Sequence, residues 1–197
     1  MLIERGDNAI SQKIRRMSGE DSWADLLFRS KRLVSLKVRA EEIDFERVEV
    51  FIADINKKTR GAFAEFTVEH MIYVLYEDFL VQIRENLNEE KVDEETVTMK
   101  DTVNGLLRMR NVYFPRKKGE TAIRKRWALM EIRLKRETAQ RGRVFLYDAN
   151  TVFPEFEMSL EELLSILFCD FVSQLRRGNQ KDLVRTLIDK FSFHDFE

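Results

Sequence analysis

The chain has 197 residues, enough for one large domain or two small ones with a sizeable buried core. Its 34 Lys and Arg nearly balance 35 Asp and Glu, so the molecule as a whole has no field that would draw it onto nucleic acid or anionic lipid. A lone cysteine, Cys169, excludes an intrachain disulfide and a cysteine-based zinc site, and favours a reducing compartment.

The first ten residues carry charge by position four and hold no apolar stretch, which argues against a signal peptide. The longest apolar runs, such as 71–76, are far too short to cross a bilayer. A cytoplasmic protein with no membrane partner is expected. Two prolines and seven glycines favour long regular elements with few irregular loops.

In chain order, Ile10, Ile14 and Met17 predict a short helix over 8–17. Val34, Leu36, Val38 and Ala40 then alternate with Ser35, Lys37, Arg39 and Glu41, the period of a half-buried strand. A second strand is predicted over 46–54, with Val50 and Ile52 facing one way and Phe51 the other. NKKTRG reads as a turn, and AFAEF as a third strand completing a hairpin. A helix follows over 67–84. The stretch 85–95 holds six acids and one lysine, the composition of a solvated connector.

Met99, Val103, Leu106 and Leu107 predict a helix over 98–110. Alternation returns over 128–135, with Ala128, Met130, Ile132 and Leu134 set against Leu129, Glu131, Arg133 and Lys135. A helix over 120–141 is the competing reading there, since Ile123, Trp127, Met130 and Leu134 also share a helical face. A further strand is predicted over 142–148, placing Phe145 as Phe51 is placed. Ser159 with Glu162 forms a capping box for a wide apolar stripe from Leu160 to Leu175, with Gly178 as its stop. Asn179 can cap a last helix bearing Leu183, Leu187 and Phe191.

Two of these segments, 67–84 and 159–176, lie 92 residues apart and are identical at six of eighteen positions. The identities include Glu69/Glu161, Asp78/Asp170, Gln82/Gln174 and Arg84/Arg176, which a shared need for apolar residues does not explain. Upstream, VFIADIN at 50–56 matches VFLYDAN at 144–150. An internal duplication fixes architecture ahead of any other reading. The expected fold is α+β: a duplicated helix–strand–strand–helix unit with an approximate two-fold axis, its antiparallel sheet packed against helices, plus an extra C-terminal helix. An all-α chain is the alternative. The divisions are 1–87, a linker at 88–97, 98–178, and a C-terminal helix and tail at 179–197, all in one globular unit.

Reactive chemistry is sparse. His70 and His194 have no metal-ligand partner at helical spacing, and His70 reads as a first-turn surface residue. Cys169 sits in an apolar helix with no cation to activate it, so it reads as an inert thiol. No glycine-rich phosphate loop or serine elbow is present. Asp54/Asp148 and Asn56/Asn150 suit turn chemistry at the strand ends, with a pair of acids near the axis as the enzymatic alternative. Asp78 and Asp170, each within an apolar helix turn, need a partner such as Gln82 or Gln174 at i+4, or a strand arginine such as Arg39 or Arg133.

Charge is segregated: thirteen Lys or Arg against three acids over 108–143, then six acids and no Lys or Arg over 144–170. The leading expectation is a non-catalytic binding or regulatory protein working through an unidentified protein partner, with the tail residues Phe193 and Phe196 as a docking element and neither cofactor nor metal. It would be a monomer or homodimer. The alternative is nucleic-acid binding through a basic and aromatic strand face formed by Lys37, Arg39, Phe51, Arg133, Lys135 and Phe145.

Overall fold

The computed structural model describes residues 33–61, 63–87, 92–115 and 126–178. The helices expected over 8–17 and beyond 179, together with His194, Phe193 and Phe196, lie outside the described residues. Within them run β1 (Leu33–Glu41), α1 (Glu42–Lys58), α2 (Val68–Leu87), α3 (Val92–Tyr113), β2 (Trp127–Lys135), α4 (Arg136–Val152) and α5 (Leu160–Arg176). The fold class is α+β. Residues 92–97 of the expected linker form the first turns of α3.

Both alternating segments are strands, and they pair antiparallel along their full length, from Leu33↔Lys135 to Glu41↔Trp127. The middle residue of one faces the middle residue of the other, Lys37↔Glu131. Period-two alternation sends Leu36, Val38, Ala40, Ile132 and Leu134 inward, each 2 % exposed or less. Met130 is half-buried with them.

The second strand expected in each half is a helix. Residues 46–54 belong to α1 and 142–148 to α4, and each helix begins directly where its strand ends. Spacing explains the correction. Phe45, Val48, Ile52 and Ile55 are buried at intervals of three and four, as are Ala139, Gly142, Leu146 and Ala149. Val50 and Val144 do not face the same way as Ile52 and Leu146, being 63 % and 59 % exposed. β-branched content misled because tertiary burial on a helical stripe outweighs intrinsic preference. Residues 63–65 form a turn, not a third strand. Among the described residues the sheet therefore has two strands, one from each half, where at least two from each half were expected.

Helix ends follow from local chemistry. α1 stops where Arg60 and Gly61 take positive φ, and the Gly61 amide donates to the Asn56 carbonyl at 2.9 Å. The Asn56 side chain accepts from the Phe63 amide at 3.1 Å, and Asn150 donates to the Phe156 carbonyl at 2.6 Å, so both asparagines fasten the loop after their helix. Ser159 accepts from the Glu162 amide at 3.1 Å, as the capping box predicts.

α5 is the hub, packing on β1 and on all four other helices. Three ring pairs tie the two halves into one core: Phe45 stacks on Phe168 at 4.9 Å, Phe51 meets Phe171 edge-on at 5.8 Å, and Phe145 meets Phe79 edge-on at 5.5 Å. Such geometry adds about 0.5–1.5 kcal/mol per pair beyond the area buried. Asp170 is clamped by Gln174 Nε2 at 2.9 Å, as expected, and by the Tyr113 hydroxyl at 2.9 Å. No strand arginine takes that place.

Where Phe168 stacks on Phe45, the other half puts Tyr76 beside small residues. The fully buried Tyr76 donates to the Thr138 carbonyl at 3.0 Å, one turn before Gly142 on α4. A β-carbon at Gly142 would overlap the Tyr76 hydroxyl and come within 3.1 Å of Leu160 Cδ1. In an open helix Gly→Ala stabilises by about 1 kcal/mol. Here Gly142→Ala is expected to destabilise by about 1–3 kcal/mol in urea unfolding, because the ring has nowhere to move.

Burial pushes the Tyr76 phenol up to about 12, and burial followed by the hydrogen bond to Asp170 does the same for Tyr113. Both bind their protons more tightly folded than unfolded. Their contribution is therefore complete below pH 10.0 and is lost as pH rises toward 12. The urea midpoint should fall across that window, and a Tyr76→Phe/Tyr113→Phe double variant should show a shallower fall.

Candidate nucleic-acid interface

The ribbon has two chemically opposite sides. Its inner side is the apolar set buried on the helices. Its outer side is fixed by the same alternation and presents Leu33, Ser35, Lys37, Arg39, Leu129, Glu131, Arg133 and Lys135, all exposed. Cross-strand neighbours there are Ser35↔Arg133, Lys37↔Glu131 and Arg39↔Leu129. Opposite charges facing one another at the centre attract. The Ser35 hydroxyl donates to Glu131 Oε1, which fixes that carboxylate along the ribbon.

One end of the face is aromatic. The Arg39 guanidinium lies 4.5 Å from the Trp127 ring centre and 5.8 Å from that of Phe114, whose ring is 5.5 Å from Trp127. This contact restrains Arg39 and leaves it exposed. Arg133, at the matching position of the other strand, faces Ser35 instead.

The strand backbones beneath these arginines are anchored from the side. The Arg39 amide donates to Ser165 Oγ at 2.9 Å, and the Arg133 amide to Glu69 Oε1 at 2.7 Å. Ser165 is 4 % exposed, and its hydroxyl donates to the Glu161 carbonyl at 2.6 Å. Each strand edge is thus held by a helix of the other half, α5 for β1 and α2 for β2.

Of the residues singled out in the sequence, Lys37, Arg39, Arg133 and Lys135 come together on this face. Phe51 and Phe145 do not: they lie on α1 and α4, 6 % and 7 % exposed, in the ring pairs of the core. The expected aromatic strand face is corrected accordingly. The aromatic on the ribbon is Trp127, which the alternation of 127–135 places on the same side as Leu129 and Glu131.

The other candidates lie elsewhere. Asp54 and Asp148 are exposed on helices, not at strand ends. His70 is exposed in the first turn of α2, where its Nδ1 lies 2.9 Å from Thr67 Oγ1 and its ring stacks on Phe66. Buried Cys169 points its thiol at the Arg39 carbonyl, 4.0 Å away. Beside the aromatic end of the ribbon is a cavity of about 230 Å³ reached by Asp44, Tyr113, Trp127 and Arg176. Asp44 is 6 % exposed, and its Oδ1 accepts from both Arg47 and Arg176 at 2.7 Å, so its charge is matched. Among the described residues, no group of three or more His, Cys, Asp or Glu could hold a metal ion. No helix among them is long and apolar enough to cross a membrane.

The two sides of the ribbon should respond differently to substitution. Ser165→Ala strands the Arg39 amide and is expected to cost about 1–3 kcal/mol in urea unfolding. Alanine at Lys37, Arg133 or Lys135 should change stability by no more than about 0.5 kcal/mol. No protein-family model matches this chain, and no curated protein or solved structure shows significant similarity to it.

Proposed function

We propose that the chain is a duplicated strand–helix–helix unit fused into a pseudo-dimer, and that it binds duplex DNA by laying its ribbon in the major groove. The observation that carries the reading is the open ribbon face with four cations on it: Lys37, Arg39, Arg133 and Lys135. Duplication is supported by the repeated order of a nine-residue strand, a 17-residue helix and a second helix. It is also supported by a register in which matching residues face each other at the centre, and by the reciprocal ring pairs Phe51–Phe171 and Phe145–Phe79.

Size and charge fit the groove. The major groove admits a two-stranded ribbon. Nine residues at about 3.4 Å each extend roughly 30 Å, close to one turn of the duplex at about 34 Å. The formal net charge of −1 is no obstacle, because exposed charges act over a Debye length of about 8 Å and the ribbon presents its cations locally. Glu131 is the one exposed acid on the central rungs, and it is engaged by Ser35. Phe51 and Phe145, expected on this face, are core residues and take no part in the proposed contact.

A protein partner is a second reading, favoured by Val50, Val144 and Tyr147, which are 59–74 % exposed on the outer sides of α1 and α4. Reversing ribbon charges would leave such a contact intact.

The test is fluorescence anisotropy with a labelled duplex. With about four phosphates neutralised, affinity should fall roughly a hundredfold between 50 and 200 mM salt. Arg133→Glu/Lys135→Glu should weaken binding at least about tenfold at 50 mM salt, with an unchanged urea midpoint. Absence of duplex binding at 50 mM salt, or preference for single strands, rejects the proposal.

A further inference from the structure

We infer that the ribbon reads a non-palindromic DNA site, an inference that rests on the duplex-binding reading above. A ribbon made by two identical chains carries the same residues on both strands, so its site repeats in inverted order. Here one chain supplies both strands, and their outward residues differ. At matching positions stand Leu33 and Trp127, Ser35 and Leu129, Lys37 and Glu131; only Arg39 and Arg133 agree.

The differences are of the kind that bases distinguish. Lys37 donates, and guanine offers acceptors at O6 and N7 in the major groove. Glu131, whose Oε1 is held by Ser35, accepts through its second carboxylate oxygen, and cytosine offers the N4 donor. These two face each other on the central rung, so the pair is matched to a G·C base pair in one orientation and mismatched to its inverse. Leu129 gives apolar contact of the sort a thymine methyl accepts, whereas Ser35 opposite Arg133 is polar. The two shared arginines are also held differently. Arg39 is restrained against Trp127 and Phe114, and Arg133 lies across from Ser35. Backbone symmetry and side-chain asymmetry coexist on one surface.

The experiment is selection of randomised duplexes by the full chain, followed by competition among the winning site and the two inverted repeats built from its halves. The winning site should be asymmetric with a directional G·C step near its centre, and each inverted repeat should compete at least about tenfold less well. Leu129→Ser/Glu131→Lys gives both strands the same outward Ser, Lys and Arg. That variant should shift selection toward an inverted repeat. A palindromic site selected by the unaltered chain overturns the inference, as does enrichment of duplexes without a motif, and both leave duplex binding standing. Failure to enrich any duplex removes the duplex reading and this inference with it. The site selected by the unaltered chain decides the matter even if the variant does not fold.

Discussion

The architecture depends on the antiparallel pairing of β1 with β2. Each half of the chain contributes a single strand, and a strand alone has nowhere to place its backbone donors and acceptors. Pairing across the halves satisfies one edge of each, from Leu33↔Lys135 to Glu41↔Trp127. A two-stranded ribbon by itself is marginal in water. This one persists because its inner face is buried on α5 and its outer edges are tied through Ser165 and Glu69. The ribbon and the helical core therefore stand or fall together.

That dependence explains how residues far apart in the chain come to share one surface. The alternation that buries Val38 and Ile132 must turn Lys37, Arg39, Glu131 and Arg133 to solvent. The core thus fixes the outer face without contributing an atom to it. Clamps such as Tyr113–Asp170–Gln174 and Arg47–Asp44–Arg176 hold the carboxylates of partly buried helix turns against matched partners. Their role in this arrangement is structural.

Legibility of the sequence tracked the strength of each local signal. The two strands are readable because apolar residues alternate with polar ones, four against four over 34–41 and, with Leu129 as the exception, four against three over 128–135. α5 was readable from its cap to Gly178, because Ser159, the apolar stripe and the terminal glycine agree. α1 and α4 carry a misleading local signal. In VFIADIN, at 50–56, β-branched residues crowd together, and the three-and-four spacing that decides the matter shows only when Phe45 and Val48 are included. The same signal points Phe51 and Phe145 to a strand face, whereas each ring belongs to a helical stripe in the core. Which segments would pair was not legible at all, since pairing partners lie far apart in the chain and nothing local specifies them.

Joining both strands in one polypeptide has a kinetic and stoichiometric result. A surface assembled from separate subunits disappears on dilution, and its abundance varies with the square of subunit concentration. Tethering replaces that equilibrium with an intramolecular one at millimolar-scale effective concentration. The ribbon of this molecule is complete in every folded copy, however scarce, so whatever occupies it would respond in simple proportion to the amount of protein present.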